Sequence, residues 1–150
     1  MSTKLSDLEL EAWQAFLHAH AKVTQLLDAD LRRGHGLTWS QYDVLVRLAR
    51  APGGTLRMSD LAERVMISPS GLTRAVDDLV SEGLVERHRG GKDARVVFAS
   101  LTGDGRERVR RAARDHLRGI NEHFTGKLTK AQLRNVASAL QAIAGPHEPH

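Results

Sequence analysis

The residues with the most chemical potential lie between positions 68 and 95. Ser68-Pro69-Ser70-Gly71-Leu72-Thr73-Arg74 gathers three hydroxyls and a guanidinium within one short stretch. Arginine offers a planar fork of donors that matches the O6 and N7 acceptors of guanine, and hydroxyls serve either bases or phosphates. Further along, Arg89, Lys92 and Arg95 surround Gly90-Gly91. Cationic side chains on a thin, glycine-hinged tip suit a narrow, electronegative groove. Asp93 is out of place on such a tip, and its expected role is to pair with the Arg95 side chain two residues on and hold it in position. Together these types are suited to gripping a nucleic acid rather than to breaking bonds.

Other chemistries are poorly supplied. The chain has no cysteine, which excludes disulfides, thiolate zinc sites and thiol switches. Eight histidines raise the question of a metal. His18 and His20 point to nearly opposite faces of a helix, and His116 and His123 lie about 10 Å apart at ~1.5 Å per residue, so neither pair shares an ion. A site assembled across segments from His20, His35 and His116 stays open. No carboxylate pair, Ser-His-Asp order or phosphate-cradling glycine loop is visible, and neither an enzyme nor a cofactor is expected.

With 150 residues, 41% hydrophobic and 27% charged, the composition predicts a globular unit with its own core. No apolar run exceeds Val96 to Ala99, far short of the ~20 residues needed to cross a bilayer, and no signal-peptide core opens the chain; no membrane partner and a cytoplasmic location are expected. The net charge is only +4, but it is uneven. Ten basic residues from Arg87 to Arg118 face five acidic ones from Glu86 to Asp115. Those on Arg106 to Arg118 read mainly as a solvated helix face that adds long-range attraction to a polyanion.

The elements that must position these residues are legible from caps and periodicity. Ser6 with Glu9 makes a capping box for a long helix reaching about Arg33, with Leu8, Ala12, Phe16, Ala19, Val23 and Leu26 on one stripe. Thr38 with Gln41 repeats the device for a helix carrying Val44, Leu45 and Leu48, which Ala51-Pro52-Gly53-Gly54 stops. Ser59 is the expected N-cap of a short helix with Leu61, Ala62 and Val65 inward. Ser68-Pro69 starts a second, with Leu72, Val76 and Leu79 inward and Gly83 as its stop. Two short helices about four residues apart form a helix-turn-helix, with Ser70, Thr73 and Arg74 on the outer face of the second. Asp77 and Asp78 repel phosphate, so contact is expected to fade after two turns, while Arg57, just before the first helix, is within reach of a phosphate.

From Leu84 the period becomes extended, and Leu84 to Arg89 and Val96 to Leu101 predict a β-hairpin around the glycine tip. Thr102 caps a helix with Val109, Ala113, Leu117, Ile120 and Phe124 as its stripe, and Thr129 with Gln132 caps a last one bearing Leu133, Val136, Leu140 and Ile143. The apolar stripes of the terminal helices run longer than a module of about 65 residues can cover, which calls for a second copy of the chain.

At this point the sequence resembles the multiple-antibiotic-resistance regulator (MarR) family of winged-helix transcription factors. The matching residues are Met58-Ser59-Asp60-Leu61-Ala62, Ser68 to Arg74, Leu79, Glu82-Gly83-Leu84-Val85-Glu86-Arg87, Asp93-Ala94-Arg95 and Leu101-Thr102-Gly103-Asp104-Gly105. The resemblance implies a mainly α fold with a small β-wing, one domain in which 1–36 and 103–146 dimerise, 37–102 form the winged helix-turn-helix, and 147–150 are a tail. It also implies an obligate homodimer on a roughly palindromic duplex operator, with Ser68, Pro69, Ser70, Thr73 and Arg74 at the major groove and Arg89, Lys92, Asp93 and Arg95 in the wing. Where the family wing usually reads Asp-Arg-Arg, this chain has Ala94 in the middle, and Lys92 replaces part of the missing contact.

Members of this family commonly bind small effectors between arms and reader, and Trp13, His20 and Tyr42 are the candidate lining; for Trp13 and Tyr42 packing in the core or dimer interface is the stronger reading. The expected function is a dimeric, sequence-specific DNA-binding regulator, a repressor released when a ligand changes the spacing of the two recognition helices. The rivals are a winged-helix architectural or protein-contact module without an effector, and a metal-dependent enzyme.

Overall fold

The computed structural model describes residues 3–145, so position 146 of the expected dimerising segment and the expected 147–150 tail fall outside the described residues. Helix α1 (Asp7–His35) begins at the Ser6–Glu9 capping box and ends at Gly36, whose φ of 64° is the left-handed conformation that lets its N–H bond back to the last turn. Helix α2 (Trp39–Arg50) follows its Thr38–Gln41 box. A 3-10 turn, Pro52–Gly54, then leads into strand β1 (Thr55–Arg57). Helices α3 (Met58–Arg64) and α4 (Pro69–Ser81) form the helix-turn-helix. Strands β2 (Val85–Arg89) and β3 (Val97–Leu101) make the hairpin, and helices α5 (Gly103–His123) and α6 (Lys130–Ala144) close the chain.

The sheet is antiparallel in the order β1-β3-β2, with Leu56 opposite Ala99 and Val85 opposite Leu101. Strand β1 is absent from the sequence reading because three residues are too few to display a period of two. Its presence also corrects the expected cap of α3. Arg57 is paired in the sheet with Phe98 and is itself the N-cap, so the helix starts directly from the strand at Met58 and Ser59 caps nothing. Ala62 is exposed rather than inward; Leu61 is the buried residue of this two-turn helix, Met58 packs partly buried beside it, and Val65 is buried at the C-cap.

Leu37, Val44, Leu45, Leu48, Leu61, Val76, Leu79 and Ala99 are wholly buried and join α2, α3, α4 and the sheet into one core. Each leucine contributes on the order of 1.5–3 kcal/mol by leaving water. Helix α5 meets this core through Gly105, Val109 and Ala112, and α1 through Gly119, rather than through the full expected stripe, and Leu117 is 67% exposed. A Cβ at Gly105 would run into the Leu84 carbonyl oxygen, which is why the first turn of α5 can seat against the hairpin. Two reciprocal contacts tie α1 to α5: His35 Nε2 lies 2.8 Å from Asp115, and His123 Nε2 lies 2.7 Å from Asp30.

The terminal helices are otherwise bare. All of α1 from Asp7 to Lys22 is exposed, with Leu8 at 73% and Trp13 at 56%, and α6 buries no residue. No helix among the described residues is long and apolar enough to cross a membrane.

Candidate nucleic-acid interface

The sequence around Ser68 folds as an N-cap because its hydroxyl accepts the Gly71 N–H at 3.1 Å, and Pro69 stands at the first helical position, where no amide donor is needed. Burial of Leu72, Ala75, Val76 and Leu79 turns Ser70, Thr73 and Arg74 outward together. The Ser68 and Ser70 hydroxyls are 3.3 Å apart, and Thr73 Oγ1 donates to the Pro69 carbonyl at 3.2 Å. With its proton committed there, Thr73 presents an acceptor and a methyl group outward. Arg74 has no hydrogen-bonding or ionic partner among the described residues, so its fork of donors is open.

The two acidic residues beyond Arg74 face the protein's own groups. Asp77 pairs with Arg87 of β2 at 2.5 Å, and Asp78 accepts from Gln41 of α2 at 3.4 Å. The Asp77 pair ties the recognition helix to the hairpin and the Asp78 contact ties it to α2.

The wing tip is shaped by backbone bonds. Gly90 N–H donates to the Val96 carbonyl at 2.8 Å, and Arg89 reaches across the turn to the Ala94 carbonyl at 2.7 Å. Arg89 therefore braces the wing, while Lys92 and Arg95 stand exposed at its tip without ion pairs among the described residues. The expected pairing of Asp93 with the Arg95 side chain is corrected. Asp93 Oδ1 accepts the backbone N–H of Arg95 at 3.0 Å, because an aspartate side chain reaches the amide two residues on more readily than a long guanidinium arm can fold back. Asp93 thus shapes the tip and leaves the Arg95 guanidinium open. Arg57 lies over the Phe98 ring, 5.9 Å from its centroid, and His88 stacks on the same ring at 5.6 Å.

The three candidate effector residues separate. His20 lines an apolar cavity of about 460 Å³ together with Phe16, Val23, Trp39, Phe124 and Leu140. Trp13 lies one turn away with its ring 6.2 Å from Phe16 and outside the lining. Tyr42 is in the core, its ring 4.6 Å from that of His116, and burial raises the pKa of its hydroxyl. Trp39 and Phe124 were missed as lining because what they face is set by how α1, α5 and α6 pack, which no local period reports, even though Phe124 falls on the expected stripe. His20, His35 and His116 do not converge, and no group of three or more ligating side chains among the described residues has the geometry to hold a metal.

A recognition helix with open polar donors, a basic β-wing beside it and flanking helical arms define a winged helix-turn-helix protein. Residues 35–96 match the MarR family description. Over 95% of this chain and 96% of the other, the structure superposes on AbsC, a MarR family transcriptional regulator from Streptomyces coelicolor, with a TM-score of 0.86 and 35% identity. Sco3205 of the same organism and family, solved in complex with DNA, superposes with a TM-score of 0.89 at 31% identity, over 99% of this chain and 93% of that one. The HTH-type transcriptional repressor MdtR of Bacillus subtilis (strain 168) is 31% identical over 101 residues, which are 67% of this chain and 61% of MdtR, so the chain spans about three fifths of that relative. The chain belongs to the MarR family.

Proposed function

We propose that the protein is a dimeric, sequence-specific DNA-binding regulator of transcription, acting in the cytoplasm as a repressor that a small molecule releases. It is a binding protein and not a catalyst. The observation that carries this reading is Arg74, unpaired among the described residues and set beside Ser70 and Thr73 on the exposed face of α4, together with the exposed Lys92 and Arg95 of the wing. Residues 37–102 would hold the reader, with α4 in the major groove and the wing tip on the minor groove or backbone. Residues 1–36 and 103–146 would pair with those of a second copy and set the two recognition helices about one helical turn, ~34–36 Å, apart. That MdtR is a repressor and that Sco3205 has been solved on DNA support the assignment by kinship.

The cavity between α1, Trp39, Phe124 and α6 is the proposed effector site, suited by its apolar walls and single imidazole to a small aromatic or anionic molecule. A ligand there acts only by its different affinity for the two arm spacings. The test begins by selecting bound duplexes from a random pool. Arg74→Ala is expected to cost about 1–3 kcal/mol on the selected duplex and to relax base preference, whereas Lys92→Ala weakens all duplexes alike and flattens the salt dependence. Equal loss on selected and scrambled duplexes in the Arg74 variant refutes base reading, and binding by the unaltered chain that ignores sequence but falls steeply with salt identifies an architectural protein instead.

A further inference from the structure

We propose that Asp43, in the middle of α2, is the positioning residue that aims the recognition helix; the inference rests on the DNA-binding reading above. Asp43 is only 4% exposed. Its Oδ1 faces Arg47 Nε at 3.2 Å, a partner itself nearly buried, and its Oδ2 accepts the backbone N–H of Met66 at 3.0 Å. Met66 lies in the turn between α3 and α4, two residues before the Ser68 cap. Its own side chain is 75% exposed, so apolar packing does not hold the turn at this residue.

Burying a carboxylate and a guanidinium costs several kcal/mol before their attraction offsets it, and a pair of apolar side chains of similar volume fills such a space with equal or better stability. What the apolar pair cannot do is accept a hydrogen bond along a fixed direction. Apolar contacts permit sliding, whereas an N–H···O bond weakens steeply as its angle falls. The carboxylate therefore supplies orientation, and the arginine holds it correctly turned.

The rest of α4 explains why orientation at this end matters. Asp77–Arg87 and Asp78–Gln41 hold the later half of the 13-residue helix to β2 and α2. The end that carries Ser70, Thr73 and Arg74 is reached through the turn that Asp43 grips. Without that grip only the non-directional apolar contacts of Val65, Ile67 and Leu72 hold this end, so the helix tilts about its held half and the residues facing bases move most. Base-edge hydrogen bonds demand directional alignment, while attraction to phosphates tolerates displacement. Loss of the Asp43 acceptor should thus erase discrimination between sequences before it erases affinity for DNA.

Removing Asp43 alone would take a charged partner from the nearly buried Arg47, so the experiment changes both. Asp43→Leu with Arg47→Met removes the ion pair and the acceptor, and leaves the part-buried Met66 N–H to water. Asp43→Asn with Arg47→Met removes the ion pair but keeps a carbonyl oxygen for that N–H. Both variants are checked by circular dichroism and thermal unfolding, by amide exchange at Met66, and by affinity for a duplex selected by the unaltered chain and for its scrambled counterpart at one salt concentration. The leucine variant is expected to fold, to exchange Met66 faster, to bind the selected duplex about tenfold more weakly and to bind the scrambled one within about twofold of the unaltered chain. The asparagine variant is expected to recover most of the preference. A folded leucine variant with an unchanged ratio between the duplexes overturns the proposal, as does an asparagine variant no better than it. If the unaltered chain prefers no duplex, the regulator reading falls and this role with it, a result distinguishable because Met66 exchange would still depend on Asp43.

Discussion

Replacing Trp13 with alanine should weaken self-association by one to three orders of magnitude while leaving each chain folded. The indole sits on the exposed half of α1, 56% accessible, with its ring 6.2 Å from that of Phe16. A tryptophan buries about 150–250 Å² when fully covered. The accessible share is then roughly 85–140 Å², worth about 2–3.5 kcal/mol at ~25 cal/mol per Å². A twofold axis counts every such contact twice, and covering only half of the exposed area in the dimer brings the total back to about 2–3.5 kcal/mol. That corresponds to a dimer dissociation constant raised about 30- to 400-fold. Sedimentation equilibrium from nanomolar to micromolar concentration measures it, with far-ultraviolet circular dichroism as the control for folding. A dissociation constant within threefold of the unaltered chain, with the helices intact, would refute the reasoning, because the bare face of α1 would then be a solvated surface and not half of an interface. An unaltered chain that stays monomeric at micromolar concentration would refute it more directly.

Asp93→Ala should weaken binding to every duplex by about two- to tenfold even though it removes a negative charge, because the tip loses the bond that shapes the backbone at Arg95; fluorescence anisotropy that shows tighter binding would mean the carboxylate is only repulsive. Tyr42 is the single tyrosine, so its ionisation can be followed by ultraviolet absorbance without overlap from another. Its midpoint should lie above the usual value near 10, because burial disfavours the phenolate. The folded group therefore holds its proton longer than the unfolded one, and its contribution to stability is present below pH ~10 and lost as pH climbs through the raised value. A tyrosine that titrates at its ordinary value in the folded chain would show that the hydroxyl reaches water.

Several parts of the fold are legible in the sequence because they are local. The Ser6–Glu9, Thr38–Gln41 and Thr129–Gln132 capping boxes all form as their spacing predicts, since each is closed by bonds between residues three apart. The same holds for Pro69 at the start of α4 and for the glycine tip between the hairpin strands. Ser59 shows where local reasoning stops. It has the chemistry of a cap, but strand β1 pins the preceding backbone against β3 and moves the helix start two residues earlier. Met58 and Ser100 are far apart in the chain, and no local pattern reports that their neighbourhoods meet.

For the candidate interface, residue types alone indicated which side chains suit DNA: the outward face of α4 follows from a period of 3.6 and the identity of its apolar residues. The roles of the acidic residues did not. Asp77 and Asp78 read as phosphate-repelling until the fold brings Arg87 and Gln41 to them, and Asp93 keeps its place in the wing through a backbone amide instead of a guanidinium. Asp43, the Asp30–His123 and His35–Asp115 pairs, and the cavity beneath Trp39 are decided only by the assembled structure. The physical reason is range. Caps, turns and helical faces are set by neighbours within about four residues, whereas partners across the core meet only after hydrophobic burial has fixed how α2, α4 and α5 pack, and that register is written in no single stretch of the chain.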